Sequence, residues 1–245
     1  MADFKNNQFQ TGRTSERAGV EYDAGLRSYM MRVYNYMSIG LALTGLVAMG
    51  TAALAQSNPA VANLLYNTPL KWVIMFAPLG FIFFLGAKMH TMSASTAKMT
   101  FWAFATIMGI SMSAIFLVFT GASIAQTFFV TAAAFGGLSL YGYTTKRNLS
   151  GMGSFLVMGV IGLIIASVVN IFLASSALHF AISAIGVLIF AGLTAYDTQK
   201  IKGMYDQVAG NEELMGRTAI MGALSLYLDF VNMFQFLLSF LGNRE

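Results

Sequence analysis

Three stretches of this chain run for 38, 47 and 49 residues without a single Asp, Glu, Lys or Arg. A helix of about 20 apolar residues matches the hydrocarbon thickness of a bilayer, so each stretch holds two spans, or one span and a polar connection. Only 10% of the 245 residues are charged and 57% are hydrophobic; a soluble domain averages roughly 25% charged. So few charges cannot clothe a water-facing surface. The chain is read as an all-α integral membrane protein whose length counts helices, not globular domains.

The intervals set the number of spans. After Arg32 comes one span, "VYNYMSIGLALTGLVAMGTAALA", and then a polar connection with two prolines, "QSNPAVANLLYNTP". The 16 uncharged residues between Lys71 and Lys88 make a second span if both lysines turn their ammonium groups outward. The 47 residues before Lys146 fold as two helices turning near "TGAS", and the 49 after Arg147 as two more turning near "SSALH". The segment after Arg217 is the seventh. Residues 1–30 are polar and mixed in charge, without the apolar core of a cleavable signal; they are expected to form a mobile cytoplasmic tail, with residues 31–245 as the transmembrane domain.

Lys and Arg are concentrated on the cytoplasmic side of membrane proteins. With seven spans, twelve of the fourteen fall on the N-terminal side, and only Lys71 and Arg244 on the other. The N-terminus is therefore expected in the cytoplasm and the C-terminus outside. This orientation, and a last helix without lysine, exclude a retinal protein. Cysteine is absent, which removes disulfides and thiol chemistry together. No nucleic-acid motif accompanies the basic residues, and no cofactor-binding pattern is present.

The last span carries a charge near its middle, Asp229. A carboxylate at that depth costs roughly 2.5–3.5 kcal/mol even on lenient scales. It has company: Ser225, Asp229, Asn232, Gln235 and Ser239 recur at intervals of four, three, three and four, which holds them on one third of the helix surface. Such a stripe faces the bundle interior or a watery path, because lipid offers it no partner. On helix six, Ser183, Gly186, Phe190, Thr194 and Asp197 share a face in the same way. Asp197 stands three residues before Lys200, and pairing with Lys200 or Lys202 is one account of it; pairing with Asp229 is another. Depth opposes the second account. Asp229 lies about 18 Å of helix beyond Arg217, whereas Asp197 lies only about 5 Å short of Lys200.

The remaining polar groups suggest less chemistry. His90 and His179 fall on opposite sides and cannot share a metal. Asn170, taken as mid-span, fits a helix–helix hydrogen bond. Asp206, Glu212 and Glu213 read as solvated residues of the last cytoplasmic loop, not as a calcium site. No metal site is expected.

Four stretches, "MRVYNYMSIGLALTG", "MSASTA", "AYDTQKIK" and "LSLYLDFVNMFQFLL", resemble the Bax inhibitor-1 family, also called the transmembrane Bax inhibitor motif family, in its bacterial form. The resemblance runs from about Arg27 to the C-terminus. It implies a seven-helix bundle with the last helix central, a home in the bacterial inner (plasma) membrane, and a calcium leak that responds to pH. It also implies that Asp197 and Asp229 form a paired pH sensor, with calcium as transported ion and no cofactor. Family members commonly carry an arginine at the end of helix two that bridges the helix-six aspartate and holds the pore closed. Here that position is Lys88, which keeps the charge without the planar fork and implies a weaker latch. Some bacterial relatives are thought to restrain a membrane AAA protease, so the tail and cytoplasmic loops are expected to serve such a partner in an alternative role.

An intramembrane aspartyl protease also uses two membrane aspartates, one of them in a Tyr-Asp pair such as Tyr196-Asp197. Its Gly-x-Gly before the second aspartate is replaced here by "LYLD", and its Pro-Ala-Leu motif has no counterpart after Pro78, the last proline. The reading is thus a non-enzymatic cation leak. The orientation is tested by fusing a reporter that is fluorescent only in the cytoplasm after Glu245. The fusion is expected to stay dark, and a bright one would remove the seven-span topology.

Overall fold

The computed structural model describes the backbone of residues 3–243 and the side chains of residues 22–89 and 91–243. Seven long helices follow one another: α1 (Asp3–Ser57), α2 (Leu70–Lys88), α3 (Ala94–Met112), α4 (Gly121–Thr144), α5 (Ser150–Leu173), α6 (Ser176–Val208) and α7 (Glu212–Leu241). All seven are long and apolar enough to cross a membrane, α1 through its portion Tyr22–Ser57. Among the described residues there is no strand. The first amides of a helix lack intrahelical partners, and short polar side chains supply them. Ser93, Thr120, Ser175 and Asn211 do so for α3, α4, α6 and α7 at 3.0–3.3 Å.

Of the expected tail, residues 1–2 lie outside the described residues and 3–21 are described in backbone alone. The bundle already holds its last part, for Leu26, Tyr29 and Met30 are buried. The connection between α1 and α2 differs from a plain polar loop. It winds through a helical turn, Pro59–Ala62, and a wide turn, Asn63–Asn67, and the Tyr66 hydroxyl lies 2.8 Å from Ser113 Oγ. Asn170 is not mid-span. It sits one turn from the end of α5, where its Oδ1 accepts from the Ser175 amide at 3.1 Å and caps the bend into α6. The His90 side chain lies outside the described residues; His179 is in the first turn of α6.

The α7 helix is the axis of the bundle, packed against α6, α1, α4 and α3. Its core face is closed by Tyr227, which is wholly buried, meets Phe101 and Phe104 edge-on at 5.7 Å, and shares a 2.7 Å hydrogen bond with Thr44. By contrast α2 packs chiefly on α3, and α5 on α6, and these two spans are the least buried.

The α6–α7 connection is only residues 209–211, with Gly210 at φ 88°. Asp206, Glu212 and Glu213 therefore lie on helices, and each is held. Tyr22 donates to Asp206, Arg32 pairs with Glu212 at 3.0 Å, and Glu213 accepts the Ala94 amide at 2.6 Å. The loop that sequence suggested is absent because both helices continue beyond their basic residues. At the opposite end Asn243 bonds Ser123 and Thr120.

Glycine contacts fix the helix spacing. A Cβ at Gly142 would stand 2.2 Å from the Ala195 carbonyl oxygen, whereas one at Gly137 would meet nothing within 4 Å. Gly142→Val is expected to push α4 from α6 and cost about 1–3 kcal/mol, read as a lower thermal midpoint in detergent. Gly137→Ala should hold or raise the midpoint through helix propensity. Equal midpoints for Gly142→Val and the unaltered protein would show that α4 and α6 do not rely on this contact.

Candidate functional site

The antiparallel register of α6 and α7 decides whether the two aspartates can meet. A Cβ on Gly222 would come within 3.0 Å of Ile201, and one on Gly186 within 2.6 Å of the Phe236 ring. These contacts put Asp197 level with Ser225, one helical turn from Asp229, or about 6 Å along the axis. The sequence estimate of depth placed the membrane edge at Arg217 and Lys200. In the structure α6 continues to Val208 and α7 begins at Glu212, so these residues do not mark equal heights.

Asp197 is half-buried and Asp229 is 4% exposed. Both line a cavity of about 700 Å³ bounded by α2, α5, α6 and α7, with Leu79 and Ile82 on one wall and Val160 and Leu163 on the other. The cavity exists because α2 and α5 lean on α3 and α6 and leave the adjoining face of α7 uncovered. Asp229 Oδ2 is buried without a hydrogen-bond partner. No salt bridge engages either carboxylate among the described residues.

Two further cavities extend the first. Towards the end that carries most of the basic residues, one of about 160 Å³ again includes Asp197, Lys200 and Ser225. Towards the opposite end, one of about 480 Å³ includes Asn232, Gln235 and Ser239. Adjoining cavities share residues: Asp197, Lys200 and Ser225 at one junction, Leu79, Ile82, Leu228 and Asn232 at the other. The whole α7 stripe thus faces one run of cavities. Asn232 also donates to the Leu228 carbonyl at 2.7 Å, which satisfies part of its amide.

Lys88 is not brought to the aspartates. Its side chain is exposed at the end of α2, outside all three cavity linings; its neighbours Leu85, Gly86 and Met89 line the smallest. The basic group beside Asp197 is Lys200, at the mouth of two cavities, with its Nζ 6.0 Å from the Tyr196 ring centre. Sequence reasoning had Lys200 as a plain ion-pair partner; its i,i+3 spacing from Asp197 was the available signal. The basic position singled out by resemblance lies one helix away. Among the described residues no group of three or more His, Asp or Glu could hold a metal ion.

Residues 26–245 match the family described as inhibitor of apoptosis-promoting Bax1. The chain is 50% identical over 224 residues to an uncharacterized protein of Rickettsia prowazekii, covering 91% of this chain and 93% of that one. It is 49% identical, over the full length of both, to an uncharacterized protein of Caulobacter vibrioides. It is 45% identical over 228 residues to the inner membrane protein YbhL of Escherichia coli strain K12, covering 92% and 96%.

A buried carboxyl oxygen without a partner is a cost to the fold, about 1–3 kcal/mol for such a group, and exchange for an apolar side chain is often stabilising. Asp229→Leu is therefore expected to raise the thermal midpoint in detergent at neutral pH. A fall of several degrees would mean that the carboxylate holds the bundle together.

Proposed function

The chain belongs to the Bax inhibitor-1 family, and from that premise we propose that it is a passive, pH-sensitive leak for calcium and related cations. It lies in the bacterial inner membrane, as the name of YbhL says of that relative, with the basic end of the bundle in the cytoplasm. The observation that carries the reading is the run of cavities along α7, which holds both membrane aspartates and the rest of the polar stripe.

A calcium ion prefers six to eight oxygen ligands. Two carboxylates with Ser225, Asn232 and Gln235 hold enough oxygens in total, but Ser225 and Gln235 stand about 15 Å apart along α7 and line different cavities, so they cannot converge on one ion, which suits transit better than capture. Two carboxylates one turn apart in a poorly hydrated gap cannot both ionise cheaply, and they titrate as a pair. Sharing a proton links α6 to α7 by a hydrogen bond; losing it leaves two like charges between the same helices. That exchange is the gate. Its basic counterweight is Lys200, which shares two cavities with Asp197, in preference to Lys88, whose side chain would have to swing inward from the surface.

Calcium flux into liposomes that contain only this protein tests the reading across a pH series. Wild type is expected to show a pH-dependent leak. Asp197→Asn and Asp229→Asn should each flatten the pH dependence, with the double variant no more altered than either single one. Lys200→Gln should shift the curve more than Lys88→Ala does. No flux at any pH would overturn the leak. Flux with wild-type pH curves in both Asn variants would leave the leak and remove the aspartate gate, and a larger shift from Lys88→Ala would return the latch to α2.

A further inference from the structure

A groove of about 540 Å³ opens between α1 and α4 at the basic end of the bundle, on the side of α7 away from the aspartates. It exists because both helices pack against α6 and α7 and touch each other little; the Tyr34 hydroxyl, 2.5 Å from Ser139 Oγ, joins them within it. Its body is apolar, built by Met30, Met37 and Phe135, and no carboxylate lines it. Its mouth is cationic. Arg27 lines the groove and is exposed, without an ion pair among the described residues. A second cation reaches the lining through Tyr143, for Lys202 stands over the Tyr143 ring, 4.6 Å from its centre, and donates to the Tyr143 carbonyl at 2.9 Å.

The dimensions narrow the occupant. From Arg27 to Met37 is ten residues, about 15 Å of helix, which begins outside the span that follows Arg32 and ends well within one half of a hydrocarbon core about 30 Å thick. A charged mouth in the headgroup layer and an apolar trough that ends short of the midplane match one lipid of one leaflet. A partner helix would need the full thickness, and the Tyr34–Ser139 bond stands in its way. We propose that this groove is a binding site for one anionic phospholipid of the leaflet at the basic end. Arg27 and Lys202 hold its phosphate, the Tyr143 ring packs beneath the glycerol region, and an acyl chain lies along Met30, Met37 and Phe135. Basic pockets between membrane helices are suited to such headgroups. Methionine lets the trough adapt to chains of different shape.

The site is independent of the leak and is tested by binding alone. The detergent-solubilised protein is mixed with phosphatidylglycerol or phosphatidylcholine of the same acyl chains, and retained lipid is counted by native mass spectrometry. One phosphatidylglycerol should be retained in preference to phosphatidylcholine, with a matching rise in thermal midpoint. Arg27→Gln should cut phosphatidylglycerol retention about fivefold, while Arg147→Gln, at the same end but outside the groove, should leave it unchanged. Gly136→Phe tests the trough itself, since a Cβ there meets nothing within 4 Å and the ring would fill the space; it should lower retention of both lipids. Equal retention of the two lipids, equal losses from Arg27→Gln and Arg147→Gln, or undiminished binding to Gly136→Phe would each overturn the site.

Discussion

Close approach of α6 and α7 governs the rest of the molecule. Gly186 and Gly222 remove the side chains that would hold the two helices apart, and Phe236 and Ile201 fill the space. Without a hydrophobic force between helices in lipid, such contacts supply the association. They fix a register in which Asp197 and Asp229 differ by one turn, and, because Gly222, Asp229 and Phe236 recur every seven residues on one side of α7, the stripe from Ser225 to Ser239 runs along the border of that contact. Polar groups on that stripe then need a surface other than lipid, and the space beside α2 and α5 provides it.

The bundle consequently has two unlike halves. On one side of α7, Tyr227 closes against Phe101, Phe104 and Thr44, and the Thr44 hydroxyl also engages the Ala105 carbonyl at 2.9 Å. That side joins α1, α3 and α7 through buried rings and satisfied hydroxyls. On the other side α2 and α5 flank a cavity that contains an unpartnered carboxyl oxygen. Strain tolerated at one place and tight packing at another is the usual division between a working site and its scaffold.

Helix number and type were legible because charge spacing reports directly on what lipid excludes. The stripe on α7 was legible for the same reason, since a three- and four-residue rhythm survives folding unchanged. Heights were not. Arg217 and Lys200 looked like markers of the membrane edge, yet both lie inside helices that continue past it, so distance along the chain misjudged the offset between the aspartates. Asn170 misled in a similar way: an amide in an apolar run can serve a bend as well as a neighbour, and only the end of α5 at Leu173 distinguishes them. Lys88 and Lys200 could not be ranked from sequence, because their positions relative to Asp197 depend on how α2 leans, which no local pattern encodes.

The turn of three residues between α6 and α7 restricts how these helices can move. A slide by one helical repeat would need about 5.4 Å of slack at the turn, and residues 209–211 have little to give. What remains is a scissor motion pivoting on Gly210. Asp197 lies thirteen residues from that pivot, about 20 Å along α6. At that lever arm a splay of about 5° displaces a side chain by nearly 2 Å. Near the pivot the same rotation moves almost nothing, so the ion pairs and caps at the basic end can stay closed while the membrane interior opens.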